Sequence, residues 1–152
     1  GLKCIHDEKP HRPAQAVIEV RDRKSREKRD TSPRGDSERV RARLAGHVQA
    51  ICRASGLAAE LWAEAVPLYP GAQALSDQGV ASSLLAVNQA DAPIAAADPV
   101  NPLSHDPQTA GGLLAALPED AAKAAQARLR GEGLAGHIIG RLEAGVPSIR
   151  LR

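Results

Sequence analysis

"GGLLAALPEDAAKAAQARLRGEGLAGHIIGRL", residues 111–142, carries the pattern from which the rest of the fold is read. Its first seven residues are small and apolar and predict a buried strand. Pro118 then sits where a helix starts, with Glu119 and Asp120 in the first turn and Arg128 and Arg130 in the last. That order of charges matches the helix dipole, so the helix is the clearest element of the chain. "GHIIGRL", and "VPSIRLR" at residues 146–152, read as two further strands around a Glu-Ala-Gly turn.

Working back towards the N-terminus, the same logic yields more elements. Val40, Leu44, Val48, Ile51 and Cys52 recur at helical spacing, and Gly56 followed by Leu57 reads as a helix C-cap. "AAELWAEAV", residues 58–66, alternates as a strand with Glu60, Trp62 and Glu64 on one side. "VPLYPGAQALSDQGV", residues 66–80, reads as a proline-bracketed turn and a short helix ending at Gly79. "APIAAADP" supplies a short strand, after which Pro99 and Pro102 hold the chain extended. The expected architecture is α+β, a two-layer mixed or antiparallel sheet with helices on one face.

Composition changes near residue 40. Nearly half of residues 1–39 are charged, and "RDRKSREKRD" at 21–30 carries both signs almost without a break. "AVIEV", residues 16–20, is the sole apolar run there and is too short to bury itself. Residues 1–39 are therefore expected to be a disordered charged tail, and residues 40–152 a folded domain. The core is expected to be thin, because the chain has no Phe, no Met, one Trp and one Tyr.

Charge and cysteine content exclude several classes. A net charge of +2 gives no nucleic-acid or membrane signal, and four acidic residues dilute the basic run between Asp22 and Asp36. No apolar run is long enough to span a bilayer. The two cysteines, Cys4 and Cys52, make no disulfide framework, so a cytoplasmic protein is expected. No His pair has zinc-ligand spacing. Lys3 next to Cys4 lacks the defined environment that a nucleophilic thiol requires, and Cys52 reads as a small buried hydrophobe.

One segment does carry chemistry. "SHDPQTAGGLL", residues 104–114, packs an Asp-Pro, a Gln-Thr pair and two glycines in front of a strand. Glycines permit close backbone approach, and consecutive N–H groups can form an anion-binding concavity. The competing reading is a structural turn, with His105 exposed to solvent.

"DPQTAGGLL" resembles the "DPQTSGGLL" signature of the selenophosphate synthetases (selenide, water dikinases), with Ala110 where Ser is usual. "AGHVQAICRASGLAAELWAEAVPLYPGA", residues 45–72, resembles that family's "GH…SG…VPL-PGA" passage, and "GVASSLLAVN", residues 79–88, fits the connection between the two. The resemblance covers about residues 44–152. It implies a PurM-like C-terminal α+β domain, with Asp106, Pro107, Gln108, Thr109, Gly111 and Gly112 shaping a nucleotide cleft. It also implies ATP and Mg2+ as cofactors, and a reaction that phosphorylates selenide with release of AMP and phosphate. The partner implied is an N-terminal synthetase half or a second copy in a homodimer.

Two departures qualify what this chain is expected to do. The family's N-terminal domain supplies the reactive Cys or selenocysteine, its Lys and most metal-binding aspartates, and residues 1–39 do not resemble it. Where the family has "TDVTGFGLLGH", this chain has "SERVRARLAGH", with Glu38 at the Asp position. A one-nucleotide shift can read residues 39–43 as Gly-Phe-Gly-Leu-Ala, which makes out-of-frame translation an explanation of the charged segment. The 152 residues alone are thus expected not to catalyse the reaction, leaving a non-catalytic interaction module as the alternative.

Overall fold

The computed structural model describes residues 15–21, 43–107 and 112–152. Six strands form one mixed sheet. In chain order they are β1 (Gln15–Arg21), β2 (Leu57–Leu61), β3 (Ile94–Ala95), β4 (Leu113–Pro118), β5 (Ala135–Ala144) and β6 (Ile149–Leu151). Their order across the sheet is β3-β6-β2-β5-β1-β4. The helices are α1 (Leu44–Ser55), α2 (Ala72–Asp77), α3 (Leu85–Asp91) and α4 (Glu119–Gly131). The α+β class expected from the sequence is the one observed.

The local signals explain most of these boundaries. Gly56 adopts φ 68°, a left-handed conformation that favours glycine, and its N–H bonds to the Cys52 carbonyl to close α1. Pro118 caps α4, and the acidic first turn and basic last turn stand where the dipole favours them. Val17, Ala45, Val48, Cys52, Ala59, Leu61, Ile139, Leu142 and Ile149 form the core between α1 and the sheet. Cys52 is fully buried there, as expected, and burial pushes its thiol above the ordinary range.

Five expectations are corrected. Seven residues of the segment read as a disordered tail, Gln15–Arg21, form a strand, paired antiparallel with both β4 and β5. "AVIEV" cannot bury itself, but between two apolar neighbours it need not: Ala16 and Val17 are buried on opposite faces. That also explains the second correction. Both faces of β1 need cover, so α1 packs over Val17, while α4 lies across the face that carries Ala16. The helices do not share one face.

Third, "GGLLAAL" is not a buried strand, because β4 is the sheet's edge and Leu113 is 76% exposed. Fourth, β5 and β6 are not neighbours around a tight turn. β2 lies between them, antiparallel to β5 and parallel to β6. The strand expected through residue 66 also ends at Leu61, and Ala63–Ala65 is a 3-10 turn. Val40, Glu38, Lys3, Cys4 and the charge run beyond Arg21 lie outside the described residues.

Candidate functional site

The signature loop leaves a 3-10 helix, Pro102–His105, and enters β4. Pro102 starts that helix, and the Asn101 side chain caps it by accepting from the Leu103 N–H at 3.0 Å. Asn101 also donates to Gln73 of α2 at 2.6 Å, which ties the loop's approach to the α2 turn. Asp106 follows in extended conformation, φ −68° and ψ 128°, with its N–H bonded to the Leu103 carbonyl. Asp106 and Pro107 are half-buried and Gly112 is exposed. Gln108, Thr109 and Gly111, like Ala110, lie outside the described residues.

The root of this loop is held by buried polar groups, which the sequence did not reveal. His105 is buried, not exposed to solvent as expected. Its Nε2 lies 2.9 Å from the Ala92 carbonyl, so Nε2 carries the proton and donates. Nδ1 is also buried and has no hydrogen-bond partner among the described residues. Asn88 of α3 donates to the His105 carbonyl at 2.9 Å. One turn on, Asp91 pairs with Arg43, which is buried at the start of α1. The α1 start and the loop root are thus linked through α3, which joins two of the motif segments quoted above. His47, one turn into α1, is exposed.

A second polar cluster lies on the α4 face of the sheet. Glu60 of β2 is buried, and Arg150 of β6 donates to its Oε2 at 2.7 Å. Arg141 of β5 approaches its Oε1 at 3.1 Å, and the Trp62 indole donates to the same oxygen at 3.4 Å. Arg150 also donates to Glu143 at 2.6 Å. The register explains the meeting, since Glu60 stands opposite Arg141 on one side and Arg150 on the other. The hydrogen bond from Arg150 holds the Glu60 carboxyl below the usual carboxylate range, against the upward push of burial.

Beside this cluster a cleft of about 340 Å³ is lined by Ala16, Trp62, Glu119, Lys123, Ile138, Gly140 and Arg141. Its two cations already have partners, Lys123 with Glu119 at 2.6 Å and Arg141 with Glu60. Trp62 thus lines the cleft beside α4 together with Glu119 and Lys123. Arg141, Arg150 and Lys123 were missed. A Glu between small and apolar residues in a strand was the available sign that a buried carboxylate would need cationic partners.

Glu60 gives a pH prediction. A carboxyl held low in the folded state adds stability that is present above its unfolded value, about 4.3, and lost as pH falls through the folded value. Glu60→Gln is expected to lower the urea midpoint at pH 7 and to lower it less at pH 3. Equal losses at both pH values would contradict a charged Glu60.

Among the described residues no three His, Cys, Asp or Glu side chains gather where they could hold a metal ion. Asp106 is the sole carboxylate of the signature, so we derive no metal-dependent step from these residues. No described helix is long and apolar enough to cross a membrane.

No family model matches the chain. Two curated proteins are similar to it. A selenide, water dikinase of Cronobacter sakazakii (strain ATCC BAA-894) is 36% identical over 119 residues, covering 72% of this chain and 33% of that protein. A selenide, water dikinase of Pseudomonas straminea is 32% identical over 113 residues, covering 70% and 32%. The chain spans about a third of the length of the curated relatives it matches.

Proposed function

We propose that this chain, a relative of the selenide, water dikinases over some 70% of its length, supplies the part of such an enzyme that carries the Asp-Pro-Gln-Thr loop. The reaction assigned is ATP-dependent phosphorylation of selenide, with AMP and phosphate released. It is assigned to this region acting with the remaining two thirds of such a protein, not to these 152 residues by themselves. The observation that carries the reading is the coincidence of two independent facts. The relatives share one enzymatic name, and the signature loop has a root fixed by three buried polar residues, Arg43, Asn88 and His105.

The chemistry expected of the loop is positional. Phosphoryl transfer needs groups held still around the phosphates more than it needs covalent participation. Pro107 fixes the backbone after Asp106, and Gly111 and Gly112 permit close approach of N–H groups to an anion. ATP and Mg2+ are the cofactors this reading requires. Mg2+ would neutralise the charge of the phosphates, and the carboxylates that would hold it are sought largely outside the described residues.

A graft tests this reading. Residues 15–152, which include β1, replace the matched third of the Cronobacter relative, and selenide-dependent AMP formation from Mg-ATP is followed by 31P NMR. The graft is expected to form AMP and the 152-residue chain alone to form none. A folded graft without selenide-dependent AMP would remove the assignment.

A second reading is favoured by one feature. The segment from Leu68 to Val87 leaves Leu68, Tyr69, Leu75, Val80 and Val87 exposed by 43–64%. Such a surface suits a non-catalytic module that pairs with a separate N-terminal half. Mixing the chain with the relative truncated of its matched third distinguishes the two: a complex without restored AMP formation favours the module.

A further inference from the structure

The cleft between α4 and the sheet shares no residue with the Asp106 loop. Its volume is about 340 Å³, and Ala16, Ile138 and the Trp62 ring give it an apolar floor. The ring is held from behind: its N–H donates to Glu60 Oε1 at 3.4 Å, and Arg150 holds the other carboxylate oxygen at 2.7 Å. A concave apolar floor with a few polar groups at its rim is the usual form of a small-molecule site.

The rim carries charges of both signs. Glu119 and Lys123, one turn apart on α4, pair at 2.6 Å, and each side chain is 62% exposed. An exposed pair of this kind contributes little to stability, so both groups can exchange partners with little loss. Arg141 meets Glu60 through Nη2 at 3.1 Å and Glu143 through Nε at 3.8 Å, so its Nη1 can donate to a ligand without releasing either carboxylate. A purely anionic ligand drawn to Lys123 would displace Glu119 and leave that carboxylate facing it. A purely cationic ligand on Glu119 would leave Lys123 in the same state, beside Arg141. A ligand that carries both charges matches both groups at once.

We propose that this cleft binds a free α-amino acid with an apolar side chain. Its ammonium pairs with Glu119, its carboxylate accepts from Lys123 and Arg141 Nη1, and its side chain lies on Trp62 and Ile138. An aromatic side chain fits this floor best, because it stacks on the indole. A neighbouring cleft of about 390 Å³ is lined by Trp62, Ala63, Glu64 and Arg152. It also offers both signs of charge, but its apolar surface is the indole and one methyl group, so the site is assigned to the first.

Trp62 is the sole tryptophan of the chain, so its fluorescence reports the site directly. The test titrates the full chain with L-phenylalanine, N-acetyl-L-phenylalanine and L-phenylalaninamide. L-phenylalanine is expected to change the emission saturably, with a dissociation constant of about 1 mM, the scale of a ligand this small. The acetylated and amidated compounds each lack one charge and should bind about tenfold more weakly or worse. Glu119→Gln and Lys123→Gln, both at exposed positions, should weaken L-phenylalanine about tenfold with an unchanged circular dichroism spectrum. Arg152→Gln should leave its binding unchanged. The absence of a saturable change up to ~20 mM overturns the proposal. So does equal binding of the three compounds, which removes the need for both charges. A loss on Arg152→Gln without one on Lys123→Gln overturns it as well, by moving the ligand to the neighbouring cleft.

Discussion

Val17→Asp is expected to leave the chain without a cooperative unfolding transition at 25 °C. Val17 is fully buried in the apolar cluster between α1 and the sheet. An unpaired carboxylate placed there costs about 4 kcal/mol or more, a large part of the total stability of a domain this size. Val17→Ala, which removes two methyl groups and leaves a small cavity, should cost about 2 kcal/mol. The pair of variants tests whether the charged segment contributes a strand. If residues 15–21 were solvated, both substitutions would leave the urea midpoint unchanged.

Gly140→Ala should be the second most damaging change, at about 3 kcal/mol. A Cβ at this position would stand 2.2 Å from the Glu60 carbonyl oxygen and 3.0 Å from the Leu61 Cα. Both obstacles are backbone, so no side-chain rotation relieves them. The β2–β5 ladder must part instead, and with it the pairing that sets Glu60 against Arg141. Gly131→Ala is the control. Nothing lies within 4 Å of its added Cβ at the end of α4, and the helix gains up to about 1 kcal/mol there. Equal urea midpoints for the two variants would show that β2 and β5 are not packed as described.

What the sequence made legible follows from where each signal resides. α4 and the end of α1 were readable because their determinants are local: Pro118, the charged turns, and Gly56 lie within a few residues of what they control. β1 was not readable, because its burial depends on β4 and β5, more than ninety positions away in the chain. A window centred on "AVIEV" sees mainly the surrounding charges. The α4 position followed the same error, since a sheet without β1 has no second apolar face to cover.

The site divides in the same way. Asp106, Pro107 and the glycines were singled out as candidates from a short contiguous motif. The burial of His105 was not, because Asn88 and Ala92, which hold it, are 17 and 13 residues away. Glu60 and Arg150 are separated by 90 residues and meet through strand register alone. Periodicity placed Glu60 on a strand face without saying what would face it.

The proposal that the loop beginning at Asp106 faces nucleotide has a direct measurement. Backbone amide spectra of the graft, with 15N label in residues 15–152, are recorded with and without Mg-ATP. The reading predicts that the Gly111 and Gly112 amides shift and gain protection from exchange on nucleotide addition. Unchanged glycine amides in a graft whose other amides respond to Mg-ATP would contradict it.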